Sequence, residues 1–128
     1  MSRKNFSALF FISGVLIFAI AFLNLGFNFS ASAGEKPVLM ILSSKTCPAC
    51  KQLEKVIKQL NKNYPNIKTR VLYAENPKNV KYFYEYDVEY VPTLIFKDLD
   101  GEVIAEEVGY MSQKQIINTF KKSGVKVK

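Results

Sequence analysis

The pattern of apolar and polar positions separates a leader from a domain. Residues 8–23 form an apolar run that only Ser13 and Gly14 interrupt, whereas the chain after residue 34 alternates short apolar runs with polar stretches. Short apolar runs of this kind are typical of the strands and amphipathic helices of a compact domain. We therefore predict a leader over residues 1–33 and one domain over residues 34–128.

The leader has the features of an export signal. Arg3 and Lys4 precede the apolar run, and the Ala-Ser-Ala triplet at residues 31–33 gives the small-x-small pattern of a cleavage point, with a mature start at Gly34. The alternative is an uncleaved membrane tether, because residues 6–25 are nearly long enough to span a bilayer. Both interpretations predict an extracytoplasmic domain, in the periplasm or at the outer face of the cytoplasmic membrane, since basic residues stay inside.

Within the domain the pattern predicts the element order β-α-β-α-β-β-α. The first helix has the clearest periodicity, because Leu53, Val56, Ile57 and Leu60 recur at i, i+3, i+4 and i+7. In order, the predicted elements are a strand over residues 36–42, a polar loop over 43–46, a helix that ends over 61–66, a strand over 67–73, a helix over 78–86, strands over 88–96 and 102–108, and a helix from residue 112.

This order predicts an α/β fold. The first β-α-β unit requires two parallel strands joined by a right-handed crossover. The Asp-Leu-Asp-Gly sequence at residues 98–101 is a hairpin turn, so the last two strands are antiparallel. Ser112 and Gln115 have the spacing of a capping box at the start of the last helix. We expect a mixed central sheet of about four strands with helices on both faces.

Composition narrows the chemistry. The chain has no histidine, so neither a Ser-His-Asp triad nor a Cys-His dyad can form. Its two cysteines are too few for an ordinary zinc site, although a dimer could supply four, so we predict no metal and no cofactor. The net charge is +7, but the lysines are scattered and no nucleic-acid motif is present. We therefore expect a solvated basic surface and no nucleic-acid partner.

The two cysteines, Cys47 and Cys50, lie two residues apart at the junction of the first strand and the first helix. Pro48 suits the first helical position, which leaves Cys47 at the positive end of the helix dipole, where the thiolate is favoured. Cys50 lies deeper against the helix and suits a second, resolving attack. Outside the cytoplasm such a pair can be structural or catalytic. A static bridge is disfavoured, since so short a loop removes little chain entropy.

Residues 36–124 resemble the thioredoxin family. The resemblance rests on Cys-Pro-Ala-Cys at 47–50, Val-Pro-Thr at 91–93, the Asp-Leu-Asp-Gly hairpin and Val-Gly-Tyr-Met-Ser at 108–112. It implies a three-layer sandwich and a redox-active Cys47–Cys50 disulfide. It also implies that Val91-Pro92 is a cis bond facing the thiol pair, and that the backbone of residues 91–93, ending at Thr93, binds an extended substrate segment by strand addition.

The chain also departs from the family pattern. Thioredoxins proper usually carry Trp before the first cysteine and Gly-Pro between the two, whereas this active-site turn has Thr46 and then Pro48 and Ala49. Family members often bury an acid on the first strand, and residues 38–42 contain none. Glu75 or water is left as the proton acceptor for Cys50. These departures leave the redox potential, and hence the direction of exchange, open.

The resemblance implies an enzyme, a thiol–disulfide oxidoreductase of the protein-disulfide reductase or isomerase type. Its expected partners are cysteine-containing exported proteins and a membrane protein that donates electrons, and we expect a monomer. A disulfide-donating oxidase of the same fold is the first alternative. A non-catalytic binding module with a static disulfide is the second.

Overall fold

The computed structural model of the protein describes residues 36–128. The predicted leader over residues 1–33 and the predicted mature start at Gly34 lie outside this range. The described elements are β1 (Val38–Ser43), α1 (Pro48–Asn63), β2 (Lys68–Tyr73), a 3-10 turn (Pro77–Asn79) that continues into α2 (Val80–Glu85), β3 (Thr93–Lys97), β4 (Val103–Val108) and α3 (Gln113–Lys122). No helix within residues 36–128 is both long and apolar enough to cross a membrane.

The sheet has the mixed topology that the sequence predicts. Its strand order is β2-β1-β3-β4. β1 runs parallel to β2, from Val38 opposite Lys68 to Ser43 opposite Tyr73, and antiparallel to β3, which pairs in turn with β4. β1 is apolar throughout its centre because it lies between two strands and is covered on both faces.

Helices cover both faces of this sheet, as predicted. Leu39 and Ile41 of β1 belong to the larger apolar cluster, which they share with the buried faces of α1 and α3. Met40 and Leu42, the alternate residues, belong to a smaller cluster with the aromatic residues of α2. Because side chains on a strand alternate between its two faces, β1 separates these two layers of the core.

The two longer helices form for the reasons that the sequence indicates. The buried residues of α1 lie on one face and begin at Cys50, followed by Leu53, one turn later. The predicted capping box of α3 is present, since Ser112 accepts a hydrogen bond from the Gln115 N–H and the Gln115 side chain accepts one from the Ser112 N–H. These bonds satisfy donors that the first turn would otherwise leave unpaired.

Two of the predicted boundaries that differ from the structure lie beside the cysteine pair and the Val-Pro-Thr segment. The strand predicted over residues 88–96 begins only at Thr93, because β1 pairs with β3 no further than Leu42 opposite Thr93. The Thr93 hydroxyl instead donates to the Tyr90 carbonyl (2.6 Å) and closes a bend. Ser43, assigned to the polar loop, is the last residue of β1, paired with Tyr73. In both places the available pairing partner decides the structure and local propensity does not.

Candidate functional site

Cys47 is the N-cap residue of α1, and Pro48 occupies the first turn. The Cys50 backbone N–H donates a hydrogen bond to the Cys47 sulfur at 3.2 Å. A sulfur in this position caps one of the donors that a helix N-terminus leaves unpaired, and such a bond is stronger when the acceptor is a thiolate. Both cysteines are free thiols, so the structure describes the dithiol form of the predicted Cys47–Cys50 disulfide.

The two thiols differ in accessibility. Cys47 is half-buried at the surface, whereas Cys50 is only 1% exposed. Burial raises the pKa of the Cys50 thiol, and a hydrogen bond with the Cys47 side chain raises it further. The Ser43 hydroxyl and the Ser44 backbone oppose this shift and lower the pKa of Cys50. A reagent or substrate disulfide therefore meets Cys47 first, with a protonated Cys50 behind it.

The predicted substrate-binding residues lie beside Cys47. The Val91–Pro92 peptide bond is cis, and the Cys47 thiol donates to the Val91 carbonyl across 3.7 Å. Pro92 and Thr93 are buried, while Val91 is half-buried and lies just before β3. The structure thus brings together the two segments that the sequence separates by about 40 residues.

A hydrogen-bond network holds the loop before Cys47. Glu75 accepts from the Ser44 hydroxyl at 2.6 Å and from the Lys45 N–H at 2.9 Å. The hydrogen bond from Ser44 is the main reason that the pKa of Glu75 lies below its ordinary value. Thr46, which is exposed, lies 3.0 Å from the Ser44 hydroxyl. The sequence left Glu75 as one candidate proton acceptor for Cys50. In the structure its carboxylate instead accepts hydrogen bonds from the loop before Cys47.

The other family motif also reaches the site. The Gly109 N–H donates to the Pro92 carbonyl at 2.7 Å, which fixes the Val-Gly-Tyr-Met-Ser segment against the Val-Pro-Thr segment. Gly109 has φ 99°, a conformation that favours glycine. Tyr90 and Tyr110, which are neighbours of Val91 and Gly109 in the chain, are 68% and 50% exposed.

Sequence reasoning missed a group of polar residues beneath Cys50. Ser43 is 1% exposed, and its neighbour on β2, Tyr73, donates from its hydroxyl to Glu54 of α1 at 2.8 Å. This bond is the main reason that the pKa of Tyr73 is raised. The sequence contains one signal for this position. Leu39, Ile41 and Ser43 alternate along β1, so Ser43 lies on the same face as Leu39 and Ile41.

The arrangement can exchange disulfides. A half-exposed thiol at a helix N-terminus, with a second thiol one turn away, has the components of attack and resolution. Within residues 36–128, no group of three or more His, Cys, Asp or Glu side chains could hold a metal ion. Together the fold and the Cys-x-x-Cys spacing support a redox function of the thioredoxin type, performed by an oxidoreductase.

Solved structures with the same fold include several thioredoxins. A thioredoxin-like protein from Clostridium perfringens matches with a TM-score of 0.63 and 28% identity over 74% of this chain and 77% of its own. Thioredoxin O2 from Arabidopsis thaliana gives 0.59 and 24%, over 70% and 76%. Thioredoxin-2, described as a component of malaria parasite protein secretion machinery, gives 0.61 and 19%, over 68% and 82%. The latter two are too distant in sequence to indicate more than the fold.

Sequence comparisons assign the family. Comparison with curated proteins finds no match. The family model of the thioredoxin-like domain matches residues 30–124, which is most of the chain and includes both cysteines and the Val-Pro-Thr segment. On this match, and on the shared fold, the chain belongs to the thioredoxin-like family.

Proposed function

We propose that the protein is an exported thiol–disulfide oxidoreductase that reduces or exchanges disulfides in other exported proteins. The observation that carries the proposal is the environment of Cys47. Its half-exposed sulfur caps α1, contacts the Val91 carbonyl and has the buried thiol of Cys50 one turn behind it. A structural cysteine would be buried and inert, whereas a reactive one lies at a helix N-terminus with access to solvent.

In the proposed reaction Cys47 is the nucleophile and Cys50 the resolving thiol. The Cys47 thiolate attacks one sulfur of a substrate disulfide, and the other substrate sulfur leaves as a thiolate. Cys50 then loses its proton and attacks the Cys47 sulfur of the mixed disulfide. The Cys47–Cys50 bond forms, the bond to the substrate breaks, and its electron pair leaves on the substrate sulfur. The substrate is reduced by two electrons and the enzyme pair is oxidised by two.

The backbone at Val91 is the proposed docking point for the substrate. Val91 precedes β3, and its carbonyl faces the Cys47 thiol. An extended peptide that paired with this backbone would place a substrate cysteine beside Cys47, which is the strand-addition mode of recognition. The exposed rings of Tyr90 and Tyr110 would flank that peptide.

A reductase or isomerase role is favoured over disulfide donation. Strong oxidants of this class are oxidising because their dithiol form is stabilised. Within the described residues the hydrogen bonds to the Cys47 sulfur come from Cys50 alone, and no lysine or arginine side chain donates to it. With so little stabilisation of the dithiol form, we expect a potential nearer to about −270 mV than to about −120 mV.

The proposed partners follow from the leader. Arg3, Lys4, the apolar run and the Ala-Ser-Ala triplet support export, either as a cleaved chain or tethered through residues 6–25. A reductase outside the cytoplasm has to be re-reduced, so we propose a membrane protein as its electron donor. The scattered lysines support the proposal that nucleic acid is not a partner.

Trapping tests this function. Cys50→Ser in the full chain removes the resolving thiol, so mixed disulfides through Cys47 should accumulate in the exported fraction and separate on a non-reducing gel. Cys47→Ser is the matched control and should trap none, because it removes the attacking sulfur. If Cys50→Ser traps no protein, the catalytic interpretation fails and a binding module remains. If the trapped species appear only in the cytoplasm, the proposal of export fails.

A further inference from the structure

A buried hydroxyl lies at the end of β1, shortly before the thiol pair. Ser43 Oγ is inaccessible to solvent and has no hydrogen-bond partner within residues 36–128, on a residue only 1% exposed. A buried hydroxyl without a partner costs free energy, and native proteins rarely retain one without a use. Ser43 lowers the pKa of Cys50 against the effect of burial.

The register of β1 places this hydroxyl on the side of α1. Leu39 and Ile41 pack against α1 and α3, and Ser43 continues the same alternation at the end of the strand. Its partner in the parallel ladder, Tyr73, also faces α1, because the Tyr73 hydroxyl binds Glu54. The first buried residue of α1 is Cys50. Ser43 is the one polar side chain that β1 directs towards α1.

We propose that Ser43 is a positioning residue for the resolving step, with its hydroxyl donating a hydrogen bond to the Cys50 thiolate as that thiolate forms. This inference rests on the proposed function, since it concerns the attack of Cys50 on the mixed disulfide at Cys47. Solvent accepts the proton that Cys50 loses, Cys50 bonds to the Cys47 sulfur, and the substrate sulfur leaves with the electron pair. Ser43 keeps its own proton throughout.

The rest of the site explains why a hydroxyl would serve here. β1 contains no acidic residue, and Glu75 is committed to Ser44 and Lys45. Cys47 raises the pKa of Cys50. Tyr73 on β2 and Glu54 on α1 lie on the same side of the sheet and are bonded to each other, and the four lysines of α1 are exposed. A neutral donor aimed at the sulfur is therefore the available way to favour the Cys50 thiolate.

Reaction with the aromatic disulfide dithiobis(nitrobenzoate) (DTNB) measures the rates of the two attacks separately. Attack by Cys47 releases one coloured thiolate, and attack by Cys50 on the resulting mixed disulfide releases a second. Loss of one hydrogen bond to the thiolate in Ser43→Ala should raise the pKa of Cys50, because such a bond stabilises only the charged form. The thiolate fraction at neutral pH then falls about tenfold, while the higher basicity of the sulfur recovers about threefold in nucleophilicity. The second release should therefore slow about threefold, with the first unchanged.

The pH profile gives the decisive readout. Above the pKa of Cys50 in both proteins, the more basic thiolate of Ser43→Ala should react faster than that of the original chain, so the two profiles cross. Ser43→Thr, which keeps the hydroxyl, should restore the original profile. Thr69→Val, which removes a β2 hydroxyl that has its own partner at the other end of the strand, should leave the second release unchanged.

Three outcomes would overturn the role of Ser43. In the first, the second release has the same rate in Ser43→Ala and in the original chain. In the second, both releases slow equally in Ser43→Ala. In the third, Ser43→Thr behaves like Ser43→Ala. Failure of the proposed function itself looks different. In that case the original chain would show no second release at all, and the proposal for Ser43 would fall with it.

Discussion

At the scale of single residues, Cys47 and Cys50 are the same side chain in two environments. Cys47 lies half-exposed at the end of a helix, where backbone N–H groups and the helix dipole act on its sulfur. Cys50 lies beneath it in the core, where desolvation disfavours the thiolate. The division of roles between attack and resolution therefore comes from position on one helical turn.

This difference predicts unequal alkylation of the dithiol protein. At neutral pH iodoacetamide should modify Cys47 at least about tenfold faster than Cys50, because burial both shields Cys50 and raises its pKa. The rate at Cys50 should keep rising above the ordinary pKa of a cysteine thiol, since its folded pKa is higher. Peptide mapping by mass spectrometry after timed quenching measures both rates.

The unfolded chain is the control for this experiment. In urea at the same pH the two cysteines should react at similar rates, because neither burial nor the helix then acts on them. Equal modification of Cys47 and Cys50 in the folded protein at pH 7 would contradict the assigned environments.

At the scale of elements, the sequence predicts those parts of the fold that depend on local pattern. Three predicted features are present: the periodic face of α1, the Asp98 hairpin and the Ser112 capping box. Each depends only on residues that are close together in the sequence. Residues 88–92 look like a strand but have no neighbour to pair with. The alternation along β1 indicates the face on which Ser43 lies, whereas its position next to α1 and Tyr73 depends on the packing of α1 and β2.

The capping box gives a prediction for α3. Ser112→Ala removes the acceptor for the Gln115 N–H and should lower the free energy of unfolding by about 1 kcal/mol. Ser123→Ala, at the other end of the helix, removes a hydroxyl that donates to a carbonyl at an exposed position, so its effect should stay within about 0.5 kcal/mol. Urea unfolding followed by circular dichroism compares the two. A loss for Ser112→Ala no larger than that for Ser123→Ala would show that the cap contributes little.

At the scale of the whole molecule, the site exists because three separate segments meet at one end of the sheet. The N-terminus of α1 supplies the thiols, the segment before β3 supplies Val91 and Pro92, and the segment after β4 closes on Pro92 through Gly109. The sequence predicts this meeting through the family resemblance, whereas the network of Ser44, Lys45 and Glu75 emerges only from the packed structure. Because the folded domain holds the two thiols in place, the redox state of the pair is linked to the free energy of unfolding of the domain.

This linkage predicts which redox form is more stable. If the protein is a reductase, its disulfide form is favoured, and closing the loop from Cys47 to Cys50 should stabilise the fold by about 2 kcal/mol through lost entropy of the unfolded chain. Urea unfolding with and without excess reductant measures the difference. A Cys47→Ser, Cys50→Ser double variant is the control and should unfold identically in both conditions. A dithiol form more stable than the disulfide form would instead identify a disulfide donor, because the free energy of folding would then drive the enzyme to give its disulfide away.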